Sequence, residues 1–160
     1  MDERDEAIIE ILGRKSGLSS RTLAKILDMP ISTVHRRIKK LEQEGIIKGY
    51  KALIEYEKTN YPISALLLIN LAEVTPGRSH IPKKDVLNSL RKFDELEAIT
   101  EVQAANFDLV LRARFQSLKK LSEFVEELRF IEGIEEISSA IITDENVLPP
   151  QKLLDNLPLK

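Results

Sequence analysis

Apolar residues return along this chain at two different periods, and the change of period divides it. From Ile31 to Leu41 the spacing is helical: Ile31, Val34, Ile38 and Leu41 fall within about 80° of one another around a helix axis, a narrow stripe suited to a small core. The opposite surface carries Ser32, Arg36, Lys39, Lys40 and Gln43, with Thr33, His35 and Arg37 along its edges. No carboxylate interrupts it until Glu42, and its cations are expected to lack the acidic i±4 partners that lace an ordinary solvated helix. That asymmetry favours a polyanion. Gly45 supplies a helix stop, and IIKGYKALIEY alternates about Gly49 in the manner of a short wing hairpin or strand. Upstream, Ile8, Ile9 and Leu12 predict a helix over 5–13 with acids in its first turn. A second helix starts at Ser19, a capping residue, with Leu18 placed to staple on Leu23 and with Leu23, Ile26 and Leu27 inward. Only Asp28, Met29 and Pro30 separate it from the basic helix, a break that suits a helix-turn-helix.

Beyond Glu57 strands alternate with helices. Residues 63–74 read as a strand between Pro62 and Pro76, and 83–93 as a helix with Val86, Leu87, Leu90 and Phe93 on one side. Strands follow over 96–104 and 108–115, then a helix capped by Ser117 and ended by Gly133, then a strand over 134–143. The order β-α-β-β-α-β predicts an antiparallel sheet with both helices on one face, a ferredoxin-like arrangement within an α+β fold. In the first strand Ala65, Leu66, Leu67, Leu68 and Ile69 are apolar in succession, so both faces need cover. A second subunit is the expected cover, through Leu66, Leu67 and Leu68, with the C-terminal tail folded over the sheet as the alternative. The expected domains are 1–55, a winged helix-turn-helix; 56–62, a linker; 63–143, the ferredoxin-like unit; and 144–160, a tail with a short apolar patch at Leu153 and Leu154.

Composition narrows the function. The net charge is −2, but residues 1–50 carry +2 and residues 51–160 carry −4. Residues 30–41 alone hold four cations and no acid, which fits a focused polyanion contact better than a general one. Without cysteine there is no disulfide, zinc knuckle or thiol chemistry. The charged start does not resemble a signal peptide, and the longest apolar run is far short of a membrane span. A soluble, cytoplasmic protein with no membrane contact is expected.

These residues resemble the leucine-responsive regulatory protein/AsnC family of transcription factors. The resemblance rests on DERDEAIIEIL, LAKIL and STVHRRIKKLEQEGIIKGYKALI, followed by the β-α-β-β-α-β module, and it covers residues 2–143. It implies sequence-specific binding of double-stranded DNA at a near-palindromic operator, homodimers built through the sheets that often assemble into octamers, and response to an amino acid. Ser32, Thr33, His35, Arg36, Arg37, Lys39 and Lys40 are the DNA-binding candidates, with Ser32, Thr33 and Arg36 reading bases and Lys39, Lys40 and Arg37 holding phosphates. The family's Gly-x-Tyr-Asp effector loop reads Ala105, Asn106, Phe107 and Asp108 here. Asp28 stands where relatives carry Gly at the bend, tolerable because Asp accepts a left-handed backbone, and Pro30 stands where a Ser often caps. The loop 75–82 is longer than usual.

Enzyme chemistry finds little support. His35 and His80 have no spacing that suits one metal, so no metal site and no cofactor are expected. Glu126/Glu127 and Glu135/Glu136 read as solvated charge, and no nucleophile elbow or phosphate loop occurs. One enzymatic alternative is a tetrapyrrole-processing decarboxylase of the same architecture, with Arg112 and Arg114 on the substrate. A third reading is a helix-turn-helix used only for protein contact.

Overall fold

The computed structural model describes residues 1–72 and 81–145, which form two compact units, Met1–Ile54 and Glu55–Glu145. The first is built from α1 (Glu3–Arg14), α2 (Ser20–Ile26) and α3 (Ile31–Gln43). α1 begins earlier than its apolar pattern suggests because Asp2 caps it: its carboxylate accepts from the N–H groups of Arg4 and Asp5, and Asp5 returns a bond to the Asp2 N–H. Ser19 Oγ accepts from Thr22 N–H at 3.1 Å and opens α2 as expected. Between α2 and α3, Asp28 takes φ +47, the left-handed backbone that an Asp tolerates. Ile8, Leu23, Val34 and Leu41 are fully buried where the three helices meet, with Ile38 against them.

Two expectations fail here. Ile31, placed on the inner stripe, is 49% exposed, because the buried side of α3 centres on Val34 and Leu41 and Ile31 lies at its edge in the first turn. The wing hairpin does not form either: no strand lies between Ile46 and Glu55. α3 closes with Gly45 at φ +69 and with Ile46 N–H on the Leu41 carbonyl, after which the chain is held by single bonds, Tyr50 Oη to Glu42 at 2.8 Å and Ser16 Oγ to the Lys51 carbonyl at 2.9 Å. Three residues on one side of Gly49 are too few for a hairpin arm that supports itself.

The second unit opens with a 3-10 turn at Tyr56–Lys58, inside the segment expected as a linker. It continues with β1 (Ile63–Leu71), α4 (Lys83–Leu90), β2 (Leu96–Glu101), β3 (Leu109–Phe115), α5 (Leu118–Arg129) and β4 (Ile134–Ile142). The strands form one antiparallel sheet in the order β2-β3-β1-β4, the ferredoxin-like topology. Alternation decides which side chains meet the helices: Ala65, Leu67 and Ile69 of β1 and Leu109, Leu111, Ala113 and Phe115 of β3 are buried with Val86, Leu90, Leu121, Phe124 and Leu128. The expectation that Leu66, Leu67 and Leu68 share one interface is therefore corrected, since a strand sends neighbours to opposite faces. Leu67 is fully buried within its own chain, while Leu66 and Leu68 lie on the other face beside Arg112 and Val110, half-exposed. No helix among the described residues is long and apolar enough to cross a membrane. The loop 75–82 lies mostly outside the described residues, as do His80 and the apolar patch at Leu153 and Leu154.

Candidate nucleic-acid interface

α3 begins at a proline, and that choice shapes its open end. Pro30, at φ −59, gives the first helical bond through its carbonyl to Val34 N–H at 3.1 Å but has no side chain that can cap the helix. Once Val34, Ile38 and Leu41 face the core, Ser32, Arg36, Lys39 and Gln43 form one exposed ridge of i, i+4, i+7 spacing. His35 and Lys40 are exposed on either side of that ridge, and Thr33 is half-buried. Arg36 and Lys39 have no ion-pair partner among the described residues. Lys40 does: its Nζ lies 3.7 Å from Glu44, so the expected lack of acidic i±4 partners holds for Arg36 and Lys39 and fails for Lys40.

Arg37 is a correction of another kind. It was expected to reach phosphate, yet its side chain is only 18% exposed and points back to the start of α1. Its Nη1 donates to Asp2 Oδ1 and Oδ2 at 2.8 Å each and to Asp5 Oδ1 at 2.6 Å. The Arg37 hydrogen bond holds the buried Asp5 carboxyl below its ordinary value against the opposing cost of burial. The Asp2 carboxyl is held down first by the Asp5 backbone N–H and then by Arg37. Both carboxyls are ionised throughout the neutral range, and the fastener's contribution to stability is complete above the ordinary Asp range and lost only as pH falls through the lowered values. Arg37 thus ties α3 to the start of α1 rather than joining the cationic ridge. Sequence reasoning missed this pairing; its one local signal was the capping spacing of Asp2 and Asp5.

The loop expected to hold an effector lies at one end of the sheet. Ala105 and Asn106 are exposed, and Phe107 and Asp108 are half-buried. Asp108 is tied to β1 twice, its Oδ2 accepting from Leu71 N–H at 2.9 Å and its N–H donating to the Ile69 carbonyl at 2.8 Å, and to the end of β2 once, its carbonyl accepting from Val102 N–H at 2.9 Å. On the sheet face away from the helices, Arg112 and Arg114 are both engaged by Glu97 and Glu145, and Arg114 lies 3.6 Å from the centre of the Tyr56 ring. The two groups that a haem-like substrate would have used are already neutralised by carboxylates, which does not favour the decarboxylase alternative.

A three-helix unit with an exposed cationic helix, followed by a ferredoxin-like sheet, defines a DNA-binding regulator with a separate C-terminal module. Residues 1–48 match the winged helix-turn-helix DNA-binding family. The HTH-type transcriptional regulator FL11 of Pyrococcus furiosus is 31% identical over 160 residues, which cover 100% of this chain and 97% of that protein. An AsnC family transcriptional regulator from Agrobacterium tumefaciens superposes with a TM-score of 0.74 at 26% identity, covering 97% of this chain and 98% of that one. The fold is shared as well with a Neisseria meningitidis regulator solved in complex with L-Met, at a TM-score of 0.76 and 24% identity over 93% and 94% of the two chains. The chain belongs to the leucine-responsive regulatory protein/AsnC family of helix-turn-helix transcriptional regulators.

Proposed function

We propose that α3 enters the major groove of an operator, where Ser32, Thr33 and Arg36 read base edges while Lys39, Lys40 and His35 contact phosphates. The observation that supports this most is the ridge of Ser32, Arg36, Lys39 and Gln43, exposed and with its two cations unclaimed by any described carboxylate. A groove about 12 Å wide admits such a helix. Phosphate contacts hold a protein on any duplex, whereas a guanidinium on a base edge distinguishes sequences. Arg36→Ala is therefore expected to cost about 1–3 kcal/mol on the operator and to relax sequence preference. Lys39→Ala is expected to weaken every duplex alike and to lower the slope of log K against log salt by about one. Fluorescence anisotropy on a selected site and on random DNA, across a salt series, separates the two. Equal losses on both DNAs for Arg36→Ala would overturn the assignment.

Two copies pair through the sheet face that carries Leu66, Leu68 and Val110, and the operator is a near-palindrome with half-sites about one helical turn or a multiple apart. An octamer would be built from such dimers, acting in the cytoplasm. The loop Ala105, Asn106, Phe107 and Asp108 is the effector site, and it answers leucine-like amino acids weakly. Ala105 adds a methyl group where the Gly-x-Tyr-Asp pattern of the resemblance has Gly, and Asp108 spends one carboxylate oxygen on Leu71 N–H. Calorimetry across the twenty amino acids is expected to show heats that strengthen when Ala105 is replaced by Gly. A micromolar site that Ala105→Gly leaves unchanged would count against this reading of the loop.

A further inference from the structure

A lone exposed isoleucine needs no explanation on most surfaces. Ile31 differs in its position: it is the first residue of α3, directly before Ser32, and 49% exposed. It stands at the edge of an open groove of about 550 Å³, whose walls include Arg21 and Lys25 of α2, Asp28 and Met29 of the turn, and Pro30. Arg21 and Lys25 are exposed and have no ion pair with any described residue, and Asp28 is the single carboxylate of the lining, which keeps a net charge of +1. The groove therefore pairs an apolar patch of Met29, Pro30 and Ile31 with a cationic wall.

That combination matches one particular feature of duplex DNA. Along the floor of the major groove every base edge offers hydrogen-bonding groups, and the 5-methyl group of thymine is its one apolar projection. An isoleucine gains nothing from a donor or acceptor but gains from covering a methyl, while the neighbouring cations meet the phosphates that flank the groove. We infer that Ile31 is a specificity-determining residue that packs on the 5-methyl group of one thymine in each half-site, with Arg21 and Lys25 against the adjoining phosphates. This rests on the proposed docking of α3 in the major groove and extends the reading surface to a base beside those met by Ser32 and Arg36.

The test uses the full-length protein and a duplex selected by that protein from a random pool. Each thymine of one half-site is replaced in turn by deoxyuracil, which keeps every hydrogen-bonding group and removes only the methyl. At one position the wild-type protein is expected to lose about fourfold in affinity, the worth of one buried methyl-sized group. Ile31→Ala should bind thymine and uracil alike at that position, whereas Arg36→Ala should still prefer thymine there. Far-UV circular dichroism of Ile31→Ala should match wild type, since the side chain is half outside the core. Indifference of the wild type at every thymine, a selected half-site without thymine, or an Ile31→Ala protein that keeps the preference would each overturn the inference, the first and last with α3 docking intact. Failure of the wild type to select any sequence would overturn the docking itself and this contact with it.

Discussion

Replacing Leu67 with glutamate is expected to unfold the Glu55–Glu145 unit, and replacing Leu68 with glutamate to leave that unit folded but monomeric. The two residues are neighbours of the same type on the same strand, so chemistry and propensity cancel in the comparison and only the face differs. Leu67 is fully buried among Leu111, Leu90 and Leu128, and a carboxylate there has no cation to meet. Losing the leucine and burying an unpaired charge together cost at least about 5 kcal/mol, as much as many small domains possess. Leu68 lies opposite Val110 on one side and Ser138 on the other, on the face away from the helices, where a lone chain leaves a carboxylate partly in water. Within the proposed dimer the same carboxylate would be trapped between two sheets. Sedimentation and circular dichroism should show wild-type structure at half the mass for Leu68→Glu. Its affinity for a two-site operator should fall about a hundredfold or more, because the second recognition helix is no longer tethered. A folded Leu68→Glu protein of unchanged mass would show that this face is not where subunits meet.

The contrast between these two leucines also shows where the sequence stops being readable. The run from Ala65 to Ile69 announces that both faces of β1 are apolar, but not which residues belong to which face; that follows from the register Leu67 to Leu111 and Leu68 to Val110, set 42 to 44 residues away. Signals that act within one turn were legible: Ser19 and Ser117 as caps, Gly45 as a stop, Asp28 in a left-handed bend. Those that depend on distant partners were not. In sequence Arg37 is one more cation of a basic helix, and only its partners Asp2 and Asp5, 35 and 32 positions earlier, set it apart. The alternation about Gly49 was a true pattern with no pairing partner to make it a hairpin, so it yields an extended segment instead. The cationic ridge is legible because one helix supplies all of it, whereas the exposure of its neighbour Ile31 is not, because the edge of a stripe is defined by what packs against it.

Gly133 should prove one of the least replaceable residues of the second unit. It lies between α5 and β4 at φ +97, where its carbonyl accepts from Ala72 N–H at 2.9 Å and so fixes the start of β4 beside the end of β1. A side chain at such a φ costs about 1–3 kcal/mol in backbone strain alone. Space is the second cost, because a Cβ there would come within 2.9 Å of Val86 Cγ2 and 3.2 Å of Ile81 Cγ2. Val86 is buried on α4 and cannot swing into water, so the crowding adds about 1–3 kcal/mol more. Gly133→Ala is expected to lose about 2–6 kcal/mol in chemical denaturation. Gly45→Ala, with φ +69 but nothing within 4 Å of its Cβ, should lose only the strain, about 1–2 kcal/mol. The two contributions at Gly133 can be separated by adding Val86→Ala, which deletes the crowding methyl. The double variant should then be more stable than the sum of the single losses implies, by about 1 kcal/mol or more, with the remainder measuring the backbone together with the Ile81 contact. Strictly additive losses would mean that Val86 yields freely and that strain at φ and the Ile81 contact account for the whole effect.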